Sequence, residues 1–191
     1  MAVVKSLYCP VSDLHYAEDE VMYTCPVAGD VGTLDVLYDY DSLRAHVDRD
    51  AFSASRDGSM WRYKALLPIH PDSPVPPLRV GGTPLYDAPR LAQALGVRAA
   101  SVKDDGANPT ASLKDRASAL VVARAMEQGI TTVSTASTGN AAAALAGVGA
   151  SVPDMETIIF VPSTAPEAKI AQLLVYGARV LLVEDSYDVA F

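Results

Sequence analysis

The second half of the chain alternates between short apolar runs and longer apolar or amphipathic runs, joined by a few polar or turn residues. Runs of strand length predict β-strands at 97–103, 131–135, 157–161 and 179–184. Longer runs predict helices at 114–128, at 139–148, and from a Ser163 or Thr164 cap, with Pro166 in the first turn, to Tyr176. Gly129 and Gly177 follow two of these helices, as left-handed C-terminal caps do. Alternating strands and helices with short joints predict a mainly parallel sheet with right-handed crossovers and helices on its faces.

The pattern divides the chain into three segments. Residues 1–45 read as short strands and turns, and we expect a ribbon-like N-terminal extension. Residues 46–96 form a connecting segment that contributes to the large domain, and its four prolines between 71 and 77 predict an extended stretch. Residues 97–191 form the α/β domain. Asp185 or Ser186 would start one more helix, but few residues follow, so we expect an architecture that is incomplete at its C-terminus.

Two segments of the front region share the spacing of a metal knuckle, Cys9-Pro10-Val11-Ser12 and Cys25-Pro26-Val27-Ala28. A zinc ribbon places cysteine at both ends of each such segment, whereas here the second positions hold a hydroxyl and a methyl group. Asp13 and His15 could substitute as ligands, so a metal site stays open. We expect a metal-free ribbon-like fold, with no metal ligands assigned.

Charge and composition narrow the class of partner. The net charge is −8, and residues 1–50 hold ten acidic and three basic residues, a balance of −7. An acidic chain without a basic stripe is a poor nucleic-acid ligand. No run approaches the roughly 20 apolar residues of a membrane span, and the first residues resemble neither a signal nor a transit peptide. We therefore expect a cytoplasmic protein that binds neither nucleic acid nor membranes.

The loop after the first predicted strand carries a candidate nucleophile, Lys114, at the start of the next helix. A lysine there faces the positive end of the helix dipole, which favours an uncharged amine and suits a Schiff-base lysine. A solvated surface lysine is the alternative that spacing alone leaves open. In parallel sheets, ligands bind near the carboxyl ends of strands, where this loop lies.

The loop after the second predicted strand, Ser134 to Ala141, is rich in hydrogen-bond donors. Ser137, Thr138 and the backbone N–H groups near Gly139 stand at a helix N-terminus, which is a natural site for a carboxylate or another anion. Simple N-capping by serine or threonine is the alternative. The helix that follows is apolar on all sides, so we expect it to be buried.

These segments together resemble the threonine synthases, a family of fold-type-II enzymes that use pyridoxal 5'-phosphate. Asn108-Pro109-Thr110-Ala111-Ser112-Leu113-Lys114-Asp115-Arg116 is similar to the family signature N-P-T-G-S-F-K-D-R. The segment from Ser137 to Asn140 matches its S-T-G-N loop. Gly82-Thr83-Pro84-Leu85 resembles its G-x-T-P-L element, and Asp104-Asp105-Gly106 resembles its D-E-G. The front segment is similar to a cysteine-containing extension in some members.

The resemblance implies a three-layer α/β fold of the tryptophan-synthase β type and a role for each matching residue. Lys114 is then the catalytic Schiff-base lysine, and Asn140 bonds the ring oxygen of the cofactor. Ser137, Thr138, Gly139 and Arg116 bind the substrate. The implied reaction converts O-phosphohomoserine and water to L-threonine and phosphate, in a protein that is a homodimer when full length.

The sequence departs from the family pattern at four positions: Ala111 replaces glycine, Leu113 replaces phenylalanine, Asp105 replaces glutamate, and Ala141 stands where threonine or serine is common. These changes affect the substrate more than the cofactor, so a threonine dehydratase, a cysteate-synthase-like enzyme or a non-catalytic remnant of the fold stay open. A dinucleotide-binding domain is disfavoured because no G-x-G-x-x-G follows a predicted strand. Because family members run well beyond 191 residues, we expect this chain to be a fragment that is inactive by itself.

Overall fold

The structure, a computed structural model, describes residues 4–184 and divides into two compact units. The first unit comprises Met1–Arg56 and Trp61–Asp72, and the second comprises Asp57–Met60 and Ser73–Phe191. The predicted helix start at Asp185 or Ser186 lies outside the described residues. Among the described helices the longest has 14 residues, and none is long and apolar enough to cross a bilayer.

The first unit is built on an antiparallel three-stranded sheet in the order β2-β1-β3, followed by two short helices. Asp39 and Asp48 cap these helices by accepting backbone N–H groups three residues downstream, at 3.1 Å and 2.7 Å. The strands were expected, but the two helices were not. The elements are β1 (Val4–Cys9), β2 (Leu14–Tyr16), β3 (Asp35–Tyr38), α1 (Tyr40–His46) and α2 (Arg49–Ala54).

The 3₁₀ segment Met60–Leu66 carries the aromatic residues Trp61 and Tyr63. The Arg62 guanidinium donates to the Phe52 carbonyl at 2.6 Å, and the Phe52 and Tyr63 rings lie 5.1 Å apart. Trp61 is the only tryptophan in the sequence, and it belongs to the first unit.

The second unit is built on a parallel sheet in the order β6-β7-β8. Ile159 and Val161 on the central strand are fully buried, as are Val122 and Val148 on the helices that cover the sheet. The elements are β4 (Leu85–Asp87), α3 (Pro89–Leu95), β5 (Ser101–Lys103), α4 (Lys114–Glu127), β6 (Thr132–Ala136), α5 (Asn140–Gly149), β7 (Glu156–Pro162), α6 (Glu167–Val175) and β8 (Arg179–Val183).

Helix α5 is buried along residues 142–149, as its uniformly apolar sequence predicted. It packs against α4 and α6 and against the sheet. A Cβ atom added at Gly147 would lie only 2.5 Å from the Thr110 methyl group, so glycine is what allows this close approach. The loop that precedes Lys114 therefore rests on the helix that begins with Asn140.

The first predicted strand of the α/β pattern was wrong in its extent and its sheet. Only Ser101–Lys103 is extended, and it pairs antiparallel with β4 in a separate two-stranded sheet. The parallel sheet therefore begins at β6. Helix α3, closed by Gly96 with φ +65°, was not predicted, because its apolar positions lie in a segment interpreted as a connector.

The expected start of α6 was also wrong. Neither Ser163 nor Thr164 caps this helix, which begins after Pro166. The residue before a proline avoids the helical region, so the helix cannot extend back through this point. The predicted C-terminal caps are confirmed, since Gly129 and Gly177 have φ of +68° and +79°.

Candidate functional site

The lysine loop is anchored through Asn108, which is 5% exposed. Its backbone is extended, with φ −70° and ψ 161°, as the proline that follows it requires. The Asn108 side chain accepts the Gly81 N–H at 2.9 Å and donates to the Asp105 carbonyl at 2.9 Å. This side chain therefore links the loop to the turn at Gly81.

A second anchor closes the turn immediately before Lys114. The carboxylate of Asp115 is fully buried and accepts the Thr110 N–H at 2.7 Å, and the Thr110 hydroxyl donates to its other oxygen. Such bonds are what make a buried carboxylate tolerable. They hold the chain so that Ala111 takes a left-handed conformation, with φ +58°.

Lys114 is the first residue of α4, and its side chain is exposed. Its backbone N–H donates to the Ser112 hydroxyl at 3.1 Å. Within residues 4–184 the Lys114 amine forms no hydrogen bond or ion pair. Leu113 beside it is 59% exposed. The amine is thus accessible, at the N-terminal end of the helix.

The second loop leaves the N-terminus of α5 without a side-chain cap. The Ser137 N–H donates to the Phe160 carbonyl at 3.2 Å, and the Gly139 N–H donates to the Ser137 hydroxyl at 3.2 Å. Gly139 is the N-cap residue, and a Cβ atom added there would meet no atom within 4 Å. Simple capping by Ser137 or Thr138 is therefore not realised, and the N–H groups of the first turn of α5 have no side-chain cap.

The other predicted site residues of this loop lie close by in sequence. Asn140 is the first residue of α5 and is exposed, while Thr138 is half-buried. Because α4 and α5 pack together, the structure places the helices that begin with Lys114 and Asn140 in one layer. The roles assigned to these residues stay predictions.

Arg116 is engaged with neighbouring side chains. Its Nη2 and Nε donate to the two carboxylate oxygens of Asp105 at 2.8 Å and 3.2 Å, and Nη2 also lies 3.3 Å from the Thr83 hydroxyl. The hydrogen bond from Arg116 is the main cause that lowers the pKa of Asp105 to about 2. Thr83 and Asp105 were not predicted as site residues, although both lie in segments that carry the family resemblance.

The two cysteines of the first unit are free, fully buried thiols. The Cys25 sulfur lies 3.2 Å from the Ser12 hydroxyl and 3.1 Å from the Tyr16 hydroxyl. Burial raises the pKa of Cys25, but hydrogen bonds from Ser12, Tyr16, the Ala28 backbone and Cys9 outweigh this effect and lower it to about 6.

The suggested substitute metal ligands are engaged elsewhere. Asp13 accepts the Tyr8 hydroxyl at 3.0 Å, and His15 lies 3.2 Å from the Ser6 hydroxyl. Over residues 4–184 no cluster of three or more His, Cys, Asp or Glu side chains could hold a metal ion.

A parallel sheet with a loop lysine at the start of one helix and a donor-rich loop at the start of the next is typical of enzymes that carry pyridoxal phosphate. Residues 77–191 match the family described as "Pyridoxal-phosphate dependent enzyme". This stretch covers more than half of the chain, which therefore belongs to that family. The resemblance stated from the motifs is confirmed at this level.

Two relatives among known proteins are threonine synthases. The chain is 39% identical over 182 residues to the threonine synthase of Methanosarcina acetivorans. The aligned region covers 95% of this chain and 43% of that protein. The chain is 37% identical over 173 residues to that of Methanocaldococcus jannaschii, with coverage of 91% and 42%. The chain thus spans less than half the length of these relatives.

The fold likeness agrees with this assignment. The processed form of threonine deaminase isoform 2 from Solanum lycopersicum superposes with a TM-score of 0.52 and 28% identity, over 56% of this chain and 30% of that one. The α/β fold with a parallel sheet, related to fold-type-II enzymes, is therefore confirmed. The parallel sheet seen here forms part of that fold.

Proposed function

We propose that this chain forms the cofactor- and substrate-carboxylate-binding part of a threonine synthase-like lyase, which converts O-phosphohomoserine and water to L-threonine and phosphate. The observation that carries the proposal is the exposed Lys114 amine, which has no partner within residues 4–184, at the N-terminus of α4. Family membership and the two threonine synthase relatives support the cofactor and the reaction class.

The residues present fit pyridoxal 5'-phosphate. An available amine is what the cofactor's aldehyde requires, and the uncapped start of α5 leaves open space beside Gly139 for a ligand. In the proposed arrangement Lys114 holds the cofactor and the Asn140 amide donates to its ring oxygen. When bound, the cofactor supplies an electron sink for charge that develops at the substrate's α carbon.

The chain's own groups would then orient the substrate and move its protons. Ser137, Thr138 and the N–H groups around Gly139 bind the substrate carboxylate, which fixes the direction of the Cα–H bond. The Lys114 amine, once free of the cofactor, acts as a general base and acid at Cα and Cβ. Protons leave Cα and Cβ, and the Cγ–O bond breaks as phosphate departs. Cγ then takes up a proton and becomes the methyl group, water adds its hydroxyl at Cβ, and the return of a proton to Cα gives threonine.

The test compares two lysines that both lie in the first turn of a helix. In the complete enzyme, Lys114→Ala should abolish phosphate release from O-phosphohomoserine and the borohydride-stable adduct that mass spectrometry locates at residue 114. Lys169→Ala, at an exposed position of α6, should change neither. Retention of the adduct or of turnover in the Lys114 variant would contradict the proposal.

The choice of substrate distinguishes the proposed enzyme from a threonine dehydratase. The structural similarity to the Solanum lycopersicum threonine deaminase makes that class the second candidate. A threonine synthase releases phosphate from O-phosphohomoserine, whereas a dehydratase releases ammonia from threonine. Ammonia release without phosphate release would replace the proposed reaction while leaving the role of Lys114 intact. A protein that turns over neither substrate, and in which Lys114→Ala changes no measurable property, would be a non-catalytic remnant.

We further propose that residues 1–191 alone do not suffice for turnover, because the chain spans only 43% and 42% of its two threonine synthase relatives. The groups that hold the cofactor phosphate and the pyridine nitrogen are expected outside this stretch. Full turnover by an isolated 191-residue protein would refute this expectation. We expect the complete enzyme to be a cytoplasmic homodimer. Its molar mass can be measured by size-exclusion chromatography coupled to light scattering.

A further inference from the structure

A cluster of three side chains joins three separate segments behind the candidate lysine. Thr83 follows the turn at Gly81 and Gly82, Asp105 starts the 3₁₀ helix Asp105–Ala107, and Arg116 lies in the first turn of α4. The Thr83 hydroxyl donates to Asp105 Oδ1 at 2.7 Å, and the same oxygen accepts Arg116 Nη2 at 2.8 Å. Each member of the cluster therefore contacts the other two.

Two of the three nitrogens of the Arg116 guanidinium are hydrogen-bonded by the protein. Nε and Nη2 bind Asp105 in a two-point pair, which is the strong geometry for arginine and a carboxylate. Nη1 lies over Gly81, where an added Cβ atom would be 2.8 Å away. Gly81 also has φ +80°, so glycine is required there for both conformation and space.

The arginine is thus directed at the scaffold. The side chains of Arg116 and Asp105 are 34% and 23% exposed. Binding a substrate anion through Nε or Nη2 of Arg116 would require this partly buried pair to open and leave the Asp105 carboxylate without its cation. Removing one partner of such a pair is costly, which favours a fixed role.

The pair acts on the backbone that presents Lys114. Residue 115 is fixed on the loop by Thr110, and residue 116 is fixed on Asp105, so both residues that follow the lysine are held by side-chain contacts. The Lys114 N–H is held by Ser112. The first turn of α4 therefore has little freedom to rotate while these contacts persist, and the direction of the Lys114 side chain depends on that turn.

We infer that Arg116 and Asp105 are positioning residues, which fix the first turn of α4 and thereby aim the Lys114 amine, and that Arg116 is not a ligand of the substrate. The inference rests on the proposed function of Lys114, and it gives Arg116 a different role from the one that the family resemblance implied. Glutamate is usual at position 105 in the family, so Asp105→Glu is the conservative variant.

The test uses two variants that the alternative roles separate. Arg116→Lys keeps the charge but loses the two-point contact, and Asp105→Asn keeps the shape but loses the charge. If the pair positions Lys114, both variants of the complete enzyme lower kcat about 10- to 100-fold with less than a threefold change in the KM for O-phosphohomoserine. If Arg116 binds the substrate, Arg116→Lys raises KM, whereas Asp105→Asn frees the guanidinium and lowers it. Opposite changes in KM would overturn the inference.

A measurement without turnover completes the design. Amide hydrogen exchange in cofactor-free protein should accelerate at residues 114–117 in both variants, while exchange in α6 stays unchanged. Asp105→Glu should restore kcat and protection to within about threefold, and unchanged protection in Asp105→Asn and Arg116→Lys would overturn the inference. If either variant fails to fold, Thr83→Val keeps the ion pair and should produce a smaller acceleration. Absence of the borohydride-stable Lys114 adduct in the wild-type protein would instead overturn the proposed function. Failure of this inference is therefore distinguishable from failure of the proposed function.

Discussion

Replacing Ala111 by glycine should stabilise the loop that presents Lys114. Ala111 has φ +58°, a conformation in which the Cβ atom crowds the backbone, and its side chain is exposed. This crowding costs about 1–2 kcal/mol for residues other than glycine. Glycine loses about 0.5–1 kcal/mol more backbone entropy on folding than alanine. The difference leaves a net stabilisation of about 0.5–1 kcal/mol for Ala111→Gly.

The matched control is Ala117→Gly, at an exposed position inside α4. There the backbone is helical, so glycine relieves no strain and costs about 1 kcal/mol. The same chemical change, six residues apart, is therefore expected to have opposite signs.

Hydrogen exchange over residues 110–127 measures both effects without relying on activity. In the regime where exchange reports the opening equilibrium, Ala111→Gly should slow exchange in this segment about two- to fivefold, and Ala117→Gly should accelerate it about fivefold. Faster exchange in both variants would refute the reasoning, because it would mean that the left-handed conformation at position 111 carries no strain.

Three further variants test contacts described above. Gly147→Ala should destabilise the protein by about 1–2 kcal/mol through its clash with the Thr110 methyl group, and Thr110→Ser, which keeps the hydroxyl, should remove that penalty in a double-mutant cycle. The pKa of Asp105 is lowered to about 2, so its contribution to stability is complete above about pH 4 and is lost as the pH falls to 2; in Asp105→Asn, acid unfolding curves should lack this loss. The pKa of Cys25 is lowered to about 6, so the stability that its thiolate contributes is lost as the pH falls from about 9 to 6. The stability of the Cys25→Ser variant should not change over that range.

The periodicity of apolar residues located those helices and strands of the second unit in which the local sequence pattern agrees with the tertiary structure. The helix starting at Lys114, the buried helix after Asn140 and the parallel strands around Ile159 are long or strongly apolar, so their type is encoded locally. The stretch 97–103 failed because an apolar run reports burial or extension but not the strand with which it pairs. Its partner, β4, lies more than ten residues upstream and is only three residues long.

The site shows the same division between local and long-range information. Motif matching identified the lysine and the donor loop, and the hydrophobic pattern gave the position of Lys114 at the start of a helix. The Thr83–Asp105–Arg116 cluster depends on pairing between segments up to 33 residues apart, which spacing along one chain does not reveal. The strain at Ala111 likewise becomes visible only when its φ angle is known.

Trp61 is an intrinsic fluorescent probe of the first unit. Because the sole indole lies in the first unit and both site loops lie in the second, tryptophan emission follows the unfolding of the first unit. Circular dichroism at 222 nm is dominated by the longer helices α4, α5 and α6. If the two signals change at different denaturant concentrations, the units unfold independently; if the curves coincide, they unfold as one cooperative body.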